Sequence, residues 1–338
     1  MPEALVIQDT TYAGDNAAYF ITRPVVGMDT VQKGCIHVED GIKKKRTIPR
    51  IEVSNLIQKR AATPTSQGTQ LVDGRVLEPL DFMLYTEFNP RDYEQHWFAV
   101  QLEPKLLDRQ LPMTAEAFTM LQTMKRLNEF FEKATWRSRL MFDPEGANVA
   151  PASKGQAASD SAYHYFDGLI YKLISDSSTL LVTSPKTLVA GTAGVGEENI
   201  GDAILRSYKL VPQALLFKYG NKGLKFHVSY LTQQIYEEFL TTQPYKNNDT
   251  TEKGINRYKG YDVVPLAGMP DNTIVVCLSS PDLESNLWLG VNSTSDENSL
   301  QLMRLQNNSE LFFIKGLFKM DVQTGFPDFV VVYTTITA

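Results

Sequence analysis

The chain has 338 residues, 43% of them hydrophobic and 21% charged, with a formal net charge of -6. Such a composition belongs to a folded chain with a sizeable core and excludes a disordered one. The negative balance argues against a dedicated nucleic-acid binder, because neutralising phosphates requires an excess of clustered lysine and arginine.

Residues 1 to about 50 read as short extended pieces, such as Ala18 to Ile21 and Cys35 to Val38, divided by Gly14, Pro24, Gly27, Gly34, Gly41 and Pro49. So much punctuation cannot build a compact unit, so the expectation is an arm that packs on something else, another subunit included. The basic run Lys43-Lys44-Lys45-Arg46 reads first as a solvated or subunit-facing stretch and second as a nucleic-acid contact. Val53, Leu56 and Ile57 at helical spacing predict a short helix over Ile51 to Arg60. Residues 61–80 are polar and turn-rich. The β-prone runs Phe82 to Tyr85 and His96 to Leu102 then flank Glu87-Phe88-Asn89-Pro90-Arg91, which predicts a long exposed hairpin. A two-stranded hairpin is marginal in water unless one face is buried elsewhere.

After Pro112 comes the strongest helical signal, Thr114 to about Trp136. Ala117, Phe118, Leu121, Met124, Leu127, Phe131 and Ala134 recur every three or four residues, with Thr114 as N-cap and Lys125, Glu129 and Lys133 on the opposite face. At 1.5 Å per residue this helix is roughly 34 Å long, a spine for an elongated subunit. The Gly-, Ala- and Ser-rich stretch Gly146 to Ser161 marks a boundary. Beyond it a mixed α/β block is expected: helices at Tyr163 to Ser175, Asn199 to Leu210 and Leu231 to Thr241, and strands at Thr179 to Val182, Ala214 to Tyr219, Leu224 to Val228, Asp262 to Val264 and Thr273 to Leu278. Two closing strands, Leu311 to Met320 and Phe329 to Thr335, are joined by Asp321 to Gly325.

Chemistry is sparse. Cys35 and Cys277 have no CxxC spacing and fit reduced thiols rather than a disulfide framework or zinc site. The loop Gly191-Thr192-Ala193-Gly194-Val195-Gly196 precedes a helix but lacks both the Gly-Lys-Ser/Thr ending of a P-loop and a dinucleotide fingerprint, so it reads as a flexible loop. His37, His96, His164 and His227 are scattered, without metal-ligand spacing. Ser229, Ser279 and Ser280 have no visible base, and the pairs Glu197-Glu198 and Glu237-Glu238 point in different directions on a helix. No catalytic, cofactor-binding or metal residue is therefore assigned. Met1-Pro2-Glu3-Ala4 opens no signal peptide and no run approaches about 18 apolar residues, so a soluble chain is expected.

The late stretch Gly260-Tyr261-Asp262-Val263-Val264-Pro265-Leu266-Ala267-Gly268-Met269-Pro270-Asp271-Asn272-Thr273-Ile274-Val275 is followed by Asn286-Leu287-Trp288-Leu289-Gly290. With Leu111-Pro112 upstream, Lys319-Met320-Asp321 and the strand Phe329 to Tyr333, these motifs, by order and spacing, resemble the major capsid proteins of tailed bacteriophages. This is the Hong Kong 97 type, of the kind found in phages and prophages of Bacteroidetes-like hosts. The resemblance spans nearly the whole chain.

It implies an α+β fold with an N-terminal arm and short helix at 1–60 and an E-loop hairpin at 61–104. A P-domain with the spine helix follows at 105–145, then an A-domain at 146–300 and C-terminal P-domain strands at 301–338. It further implies a non-enzymatic subunit that self-assembles into the icosahedral shell around a double-stranded DNA genome, forming pentamers and hexamers. The implied partners are a separate scaffolding protein, a portal, decoration proteins and DNA contacted non-specifically, with no cofactor and no membrane. The implied place is the virion capsid, assembled in the host bacterial cytoplasm. Some members carry a cleaved N-terminal scaffolding segment; here the arm-like pattern begins near Met1, so that segment is expected to be absent or removed. The competing readings are an encapsulin-like compartment shell, a soluble α/β enzyme centred on Gly191 to Gly196, and a decoration or tail-associated protein.

Overall fold

The computed structural model describes residues 10–12, 27–53, 57–60, 66, 68–89, 113–139, 166–182, 195–196, 198–219, 223–242, 256–292, 300–305 and 311–334. The first half contains β1 (Thr10–Tyr12), the one-turn helix α1 (Asp29–Gln32), β2 (His37–Glu39), β3 (Arg46–Val53), β4 (Gln70–Leu77), β5 (Leu80–Phe88) and the long helix α2 (Met113–Arg137). Next come α3 (Leu169–Ser175), β6 (Leu180–Leu181), α4 (Ile200–Leu210), α5 (Gln213–Tyr219), β7 (Leu224–Val228) and α6 (Tyr230–Thr242). The chain continues with β8 (Asn256–Tyr258), β9 (Tyr261–Pro265), β10 (Ile274–Leu278), β11 (Leu287–Val291), β12 (Leu300–Arg304), β13 (Phe312–Thr324) and β14 (Val331–Tyr333).

The first sheet has the order β1-β12-β13-β11-β2, with β5 also paired to β13. Its axis, β13, alternates as a half-buried strand should: Ile314, Phe318, Met320 and Val322 point inward, while Leu317 points out. Leu127, Phe131 and Ala134 of α2 are buried in the core on the inner face. Phe131 meets Phe318 edge-on at 5.5 Å and Phe82 of β5 at 6.1 Å between centroids. Burying each such side chain stabilises the fold by about 1.5–3 kcal/mol, which is what holds the spine helix in place.

The second sheet runs β6-β14-β10-β7-β9-β8. All five residues of β10 are buried because both faces of this strand are covered. Val275 and Cys277 join the core beneath α2 and α3, whereas Ile274 and Val276 join a second core with Ile200, Ala203 and Ile204 of α4 and Tyr236 of α6. The loop after β9 approaches α2 so closely that a Cβ on Gly268 would lie 2.2 Å from the Glu132 carbonyl, so only glycine fits there.

Several sequence expectations are corrected. Residues 51–53 are strand rather than helix, and 57–60 have no regular structure, because pairing with β4 overrides the local periodicity. Phe82 to Tyr85 lies within a strand, but that strand pairs with β13; the antiparallel hairpin is β3 with β4, in register from Arg46↔Leu77 to Val53↔Gln70. His96 to Leu102 lies outside the described residues. Asp73-Gly74 is not a turn but part of the ladder, opposite Arg50 and Pro49. Ala214 to Tyr219 is helical (α5), since Pro212 opens the turn and Leu215 and Leu216 face the second core. Helix α3 begins at Leu169, short of Tyr163. Asp321 to Thr324 continues β13, and β14 belongs to the other sheet, so the last two strands form no hairpin. Ala18 to Ile21 and Gly146 to Ser161 lie outside the described residues.

Candidate assembly interface

Register decides the two faces of the β3–β4 hairpin. Opposed residues share a face, so Arg46, Ile48, Arg50, Glu52, Leu77, Arg75, Asp73 and Leu71 lie on one side, and Thr47, Pro49, Ile51, Val53, Val76, Gly74, Val72 and Gln70 on the other. The first face folds back onto its own subunit. Ile48 and Leu77 are buried at the foot with Ile42 and Trp288. Arg75 pairs with Asp176; Arg50 reaches Asp328 at 3.5 Å and covers the Phe326 ring at 5.0 Å. Asp321 ties down the link to β5, accepting the Glu78 N–H at 3.0 Å and the Lys172 ammonium at 2.7 Å. Gln323 Nε2 donates to the Val76 carbonyl at 3.1 Å. Desolvation raises the Asp176 carboxyl, but the hydrogen bonds from Arg75 and Ser178 outweigh it and hold the group below its ordinary value.

The second face is apolar and turned to solvent: Ile51 is 60% exposed and Val72 71%, with Val53 and Val76 beside them. A sheet face that water covers normally carries polar residues. Here the first face is latched inward by Arg50, Arg75 and the buried Ile48 and Leu77, with Leu71 still 58% exposed toward its far end, while Ile51, Val53, Val72 and Val76 of the second face point outward. A second exposed apolar strip lies on the outside of the first sheet, where Met83 pairs with Leu317 and the Tyr85 ring lies 5.8 Å from Phe313. Contiguous exposed apolar surface of this kind marks an interaction site.

The hairpin's foot is fixed to the body by the segment 28–39. Thr30 N–H and Oγ1 donate to the Glu132 carboxylate at 3.0 and 2.5 Å, Gly268 N–H donates to it at 3.3 Å, and Trp136 Nε1 donates to Thr30 Oγ1 at 2.9 Å. Burial pushes the Glu132 carboxyl above its ordinary value, against the pull of those donors. Lys33 Nζ donates to Asp29 at 2.9 Å, Tyr230 at 2.8 Å and the Pro265 carbonyl at 2.6 Å. Lys225 Nζ donates to the Gly34 carbonyl at 2.9 Å. His37 lies with Nδ1 2.7 Å from the Pro281 carbonyl and its ring edge-on to Trp288 at 4.4 Å. Arg137 closes the clamp on the loop after β9, donating to the carbonyls of Gly268 at 2.8 Å and Met269 at 2.5 Å.

The residues weighed for chemistry are placed differently. His227 Nε2 lies 3.0 Å from Ser279 Oγ and Cys277 Sγ 3.8 Å from Nδ1, a grouping with the look of base and nucleophile. All three side chains are sealed in the interior, and burial, with Lys225 nearby, pushes the imidazole down to about 3. The three side chains pack against one another within the core. Burial pushes the Cys35 thiol up to about 11 and Cys277 up as well, so neither is a thiolate near neutrality. Ser229 Oγ caps α6 by accepting the Thr232 N–H at 3.1 Å, and Ser280 bonds Asp282. Glu237 receives a bond from Gln233 on the exposed face of α6, and Glu198 is exposed. Val195 and Gly196 already donate their amides to Asn272 Oδ1 and Asn199 Oδ1, both at 2.8 Å, leaving neither amide for a phosphate. Gly191 to Gly194, Glu197, His96 and His164 lie outside the described residues. Among the described residues no group of three His, Cys, Asp or Glu side chains could hold a metal ion, and no helix is long and apolar enough to cross a membrane.

No family model matches the chain, and no curated protein aligns with it in sequence. Solved structures do. A chain of the satellite phage P4 procapsid, described together with its size determination (Sid) protein, covers 94% of this chain and 98% of its own length at a TM-score of 0.55 and 9% identity. A capsid chain of the native GTA particle covers 91% and 90% at 0.51 and 10% identity. The capsid of cyanophage P-SCSP1u covers 92% and 89% at 0.50 and 10% identity. Likeness over nine-tenths of the length at so low an identity is a likeness of fold. The chain is an α+β protein with the Hong Kong 97-like fold of phage capsids.

Proposed function

We propose that the chain is a major capsid protein that self-assembles, through pentamers and hexamers, into the icosahedral shell of a tailed phage around its double-stranded DNA. The observation that carries this is the inverted β3–β4 hairpin: its charged face latched to its own subunit, its apolar face exposed, on a capsid-type fold. In this reading the hairpin is the E-loop, spanning about 46–77 in place of 61–104. Helix α2 and the first sheet form the P-domain, and the second sheet with α4, α5 and α6 forms the A-domain. A scaffolding protein, a portal and decoration proteins belong to the same reading, as do non-specific contacts to packaged DNA, a place in the virion after assembly in the bacterial cytoplasm, and the absence of catalysis.

The test is electron microscopy with sedimentation of the full chain and of a variant carrying Ile51→Asp and Val72→Asp. The full chain is expected to give closed shells, or rings of five and six, and the variant a folded subunit that does not close. A parent chain that stays monomeric at high concentration, both alone and with its scaffolding protein supplied, would overturn the reading. Shells filled with an enzyme cargo in place of DNA would move it to a compartment shell.

A further inference from the structure

Strand β11 is five residues long, and its two ends carry opposite surface chemistry. Just before it, Pro281, Asp282, Leu283 and Glu284 form an exposed turn with Leu283 70% exposed. The turn is fixed in place. Ser285 N–H donates to the Asp282 carbonyl at 3.0 Å, Ser280 Oγ donates to Asp282 Oδ2 at 3.1 Å, and Asp282 N–H donates back to Ser280 Oγ at 3.2 Å. Glu284 meets no partner among the described residues.

At the far end the Val291 carbonyl accepts the Ile42 N–H at 3.2 Å, and the chain runs on into exposed Lys43, Lys44 and Lys45. Lys45 pairs with Glu78 at 2.9 Å, whereas the ammonium groups of Lys43 and Lys44 meet no partner among the described residues. Lys319 of β13 donates to the Lys43 carbonyl at 3.4 Å and pairs with exposed Asp81 at 3.2 Å. One end thus presents a leucine between two carboxylates, and the other two lysines whose ammonium groups meet no partner among the described residues. With β11 between them, about 14 Å long at 3.4 Å per residue, these surfaces cannot meet within one molecule.

We infer that they meet between copies: the 281–284 turn of one subunit seats on Lys43 and Lys44 of the next. This rests on the capsid reading and adds a charge-matched contact to the apolar one of the hairpin. The two surfaces differ, so the contact is head-to-tail and is completed only by ring closure. Between subunits of net charge -6, fixed opposite charges set the register and penalise misaligned neighbours.

The test is charge exchange in the full chain. Lys43→Glu with Lys44→Glu, and separately Asp282→Lys with Glu284→Lys, should each lower the yield of sedimenting shells at least tenfold, and the four changes together should restore it. Glu284→Lys alone breaks no bond within the subunit and should lower yield with an unchanged unfolding midpoint. Parental yield from either reversal overturns the contact, as does failure of the combined variant to recover. Lys43→Glu/Lys44→Glu shells that form normally but retain less nucleic acid overturn it too, and assign the lysines to the genome. An unaltered chain that stays monomeric, both alone and with its scaffolding protein supplied, overturns the capsid reading and the contact with it; variants that assemble like an assembling parent overturn the contact alone.

Discussion

Glu132 is a carboxylate at 4% exposure surrounded by donors: two from Thr30 and one from Gly268. An amide there would have to turn its NH2 toward one of them. Glu132→Gln is therefore expected to destabilise the subunit by about 1–3 kcal/mol, the cost of leaving a buried donor unmet, as read from urea unfolding. The pH dependence carries a second signature. Because burial raises this carboxyl in the fold, the folded chain holds its proton over a window in which the unfolded chain, near 4.3, has lost it. Its contribution is complete below that window and falls as pH rises through it, a slope that Glu132→Gln abolishes. Asp176 has the opposite sign. Its carboxyl is depressed by Arg75, so the latch stabilises above the ordinary value near 3.9 and is lost as pH falls through the folded value. Arg75→Ala should flatten that acid limb in the same titration.

Among the elements, α2 and the hairpin respond to different losses. Phe131→Ala removes a ring packed against Phe318 and Phe82 and should cost about 3–5 kcal/mol of subunit stability by chemical denaturation. Ile51→Asp with Val72→Asp, both in exposed positions, should leave that stability within about 0.5 kcal/mol while abolishing closure. The contrast explains what was legible in the sequence. Helix α2 was readable because its apolar residues recur at helical spacing, and Leu127, Phe131 and Ala134 of that series are buried. Strands β7, β9 and β10 were readable because local composition and burial agree.

The β3–β4 pair was not read from sequence because β5 carries a stronger β signal, and no local cue says that β5 pairs with β13, more than 220 residues later. The alternation Thr47, Pro49, Ile51, Val53 was visible, but Pro49 and Asp73-Gly74 read as breaks. Of the residues around the hairpin, the basic run Lys43 to Arg46 was legible in sequence and is exposed, whereas Met28, Cys35 and Ile36, read as part of an arm, are buried in the core of their own chain. The Arg75–Asp176 and Thr30–Glu132 pairs were not legible, since each joins residues about a hundred positions apart with no shared motif.

At the scale of the whole molecule, sequence order and spacing pointed to the capsid fold even where identity to solved capsids is about one-tenth. A fold preserved with so little sequence in common is specified by pattern, namely which positions are buried, and not by any chemistry. The single subunit leaves two apolar strips in water, so its solution behaviour should depend steeply on concentration and salt. Raising ionic strength is expected to weaken the charge-matched contact and spare the hairpin's, observable as partial rings in place of closed shells.

Strand β10 has a further consequence. It is a wall common to both hydrophobic cores, bonded to β7 on one edge and β14 on the other, so neither core can open while the other stays closed. Its amide protons should be the last to exchange with deuterium, leaving only when the entire subunit unravels, at one rate for residues that face opposite sides.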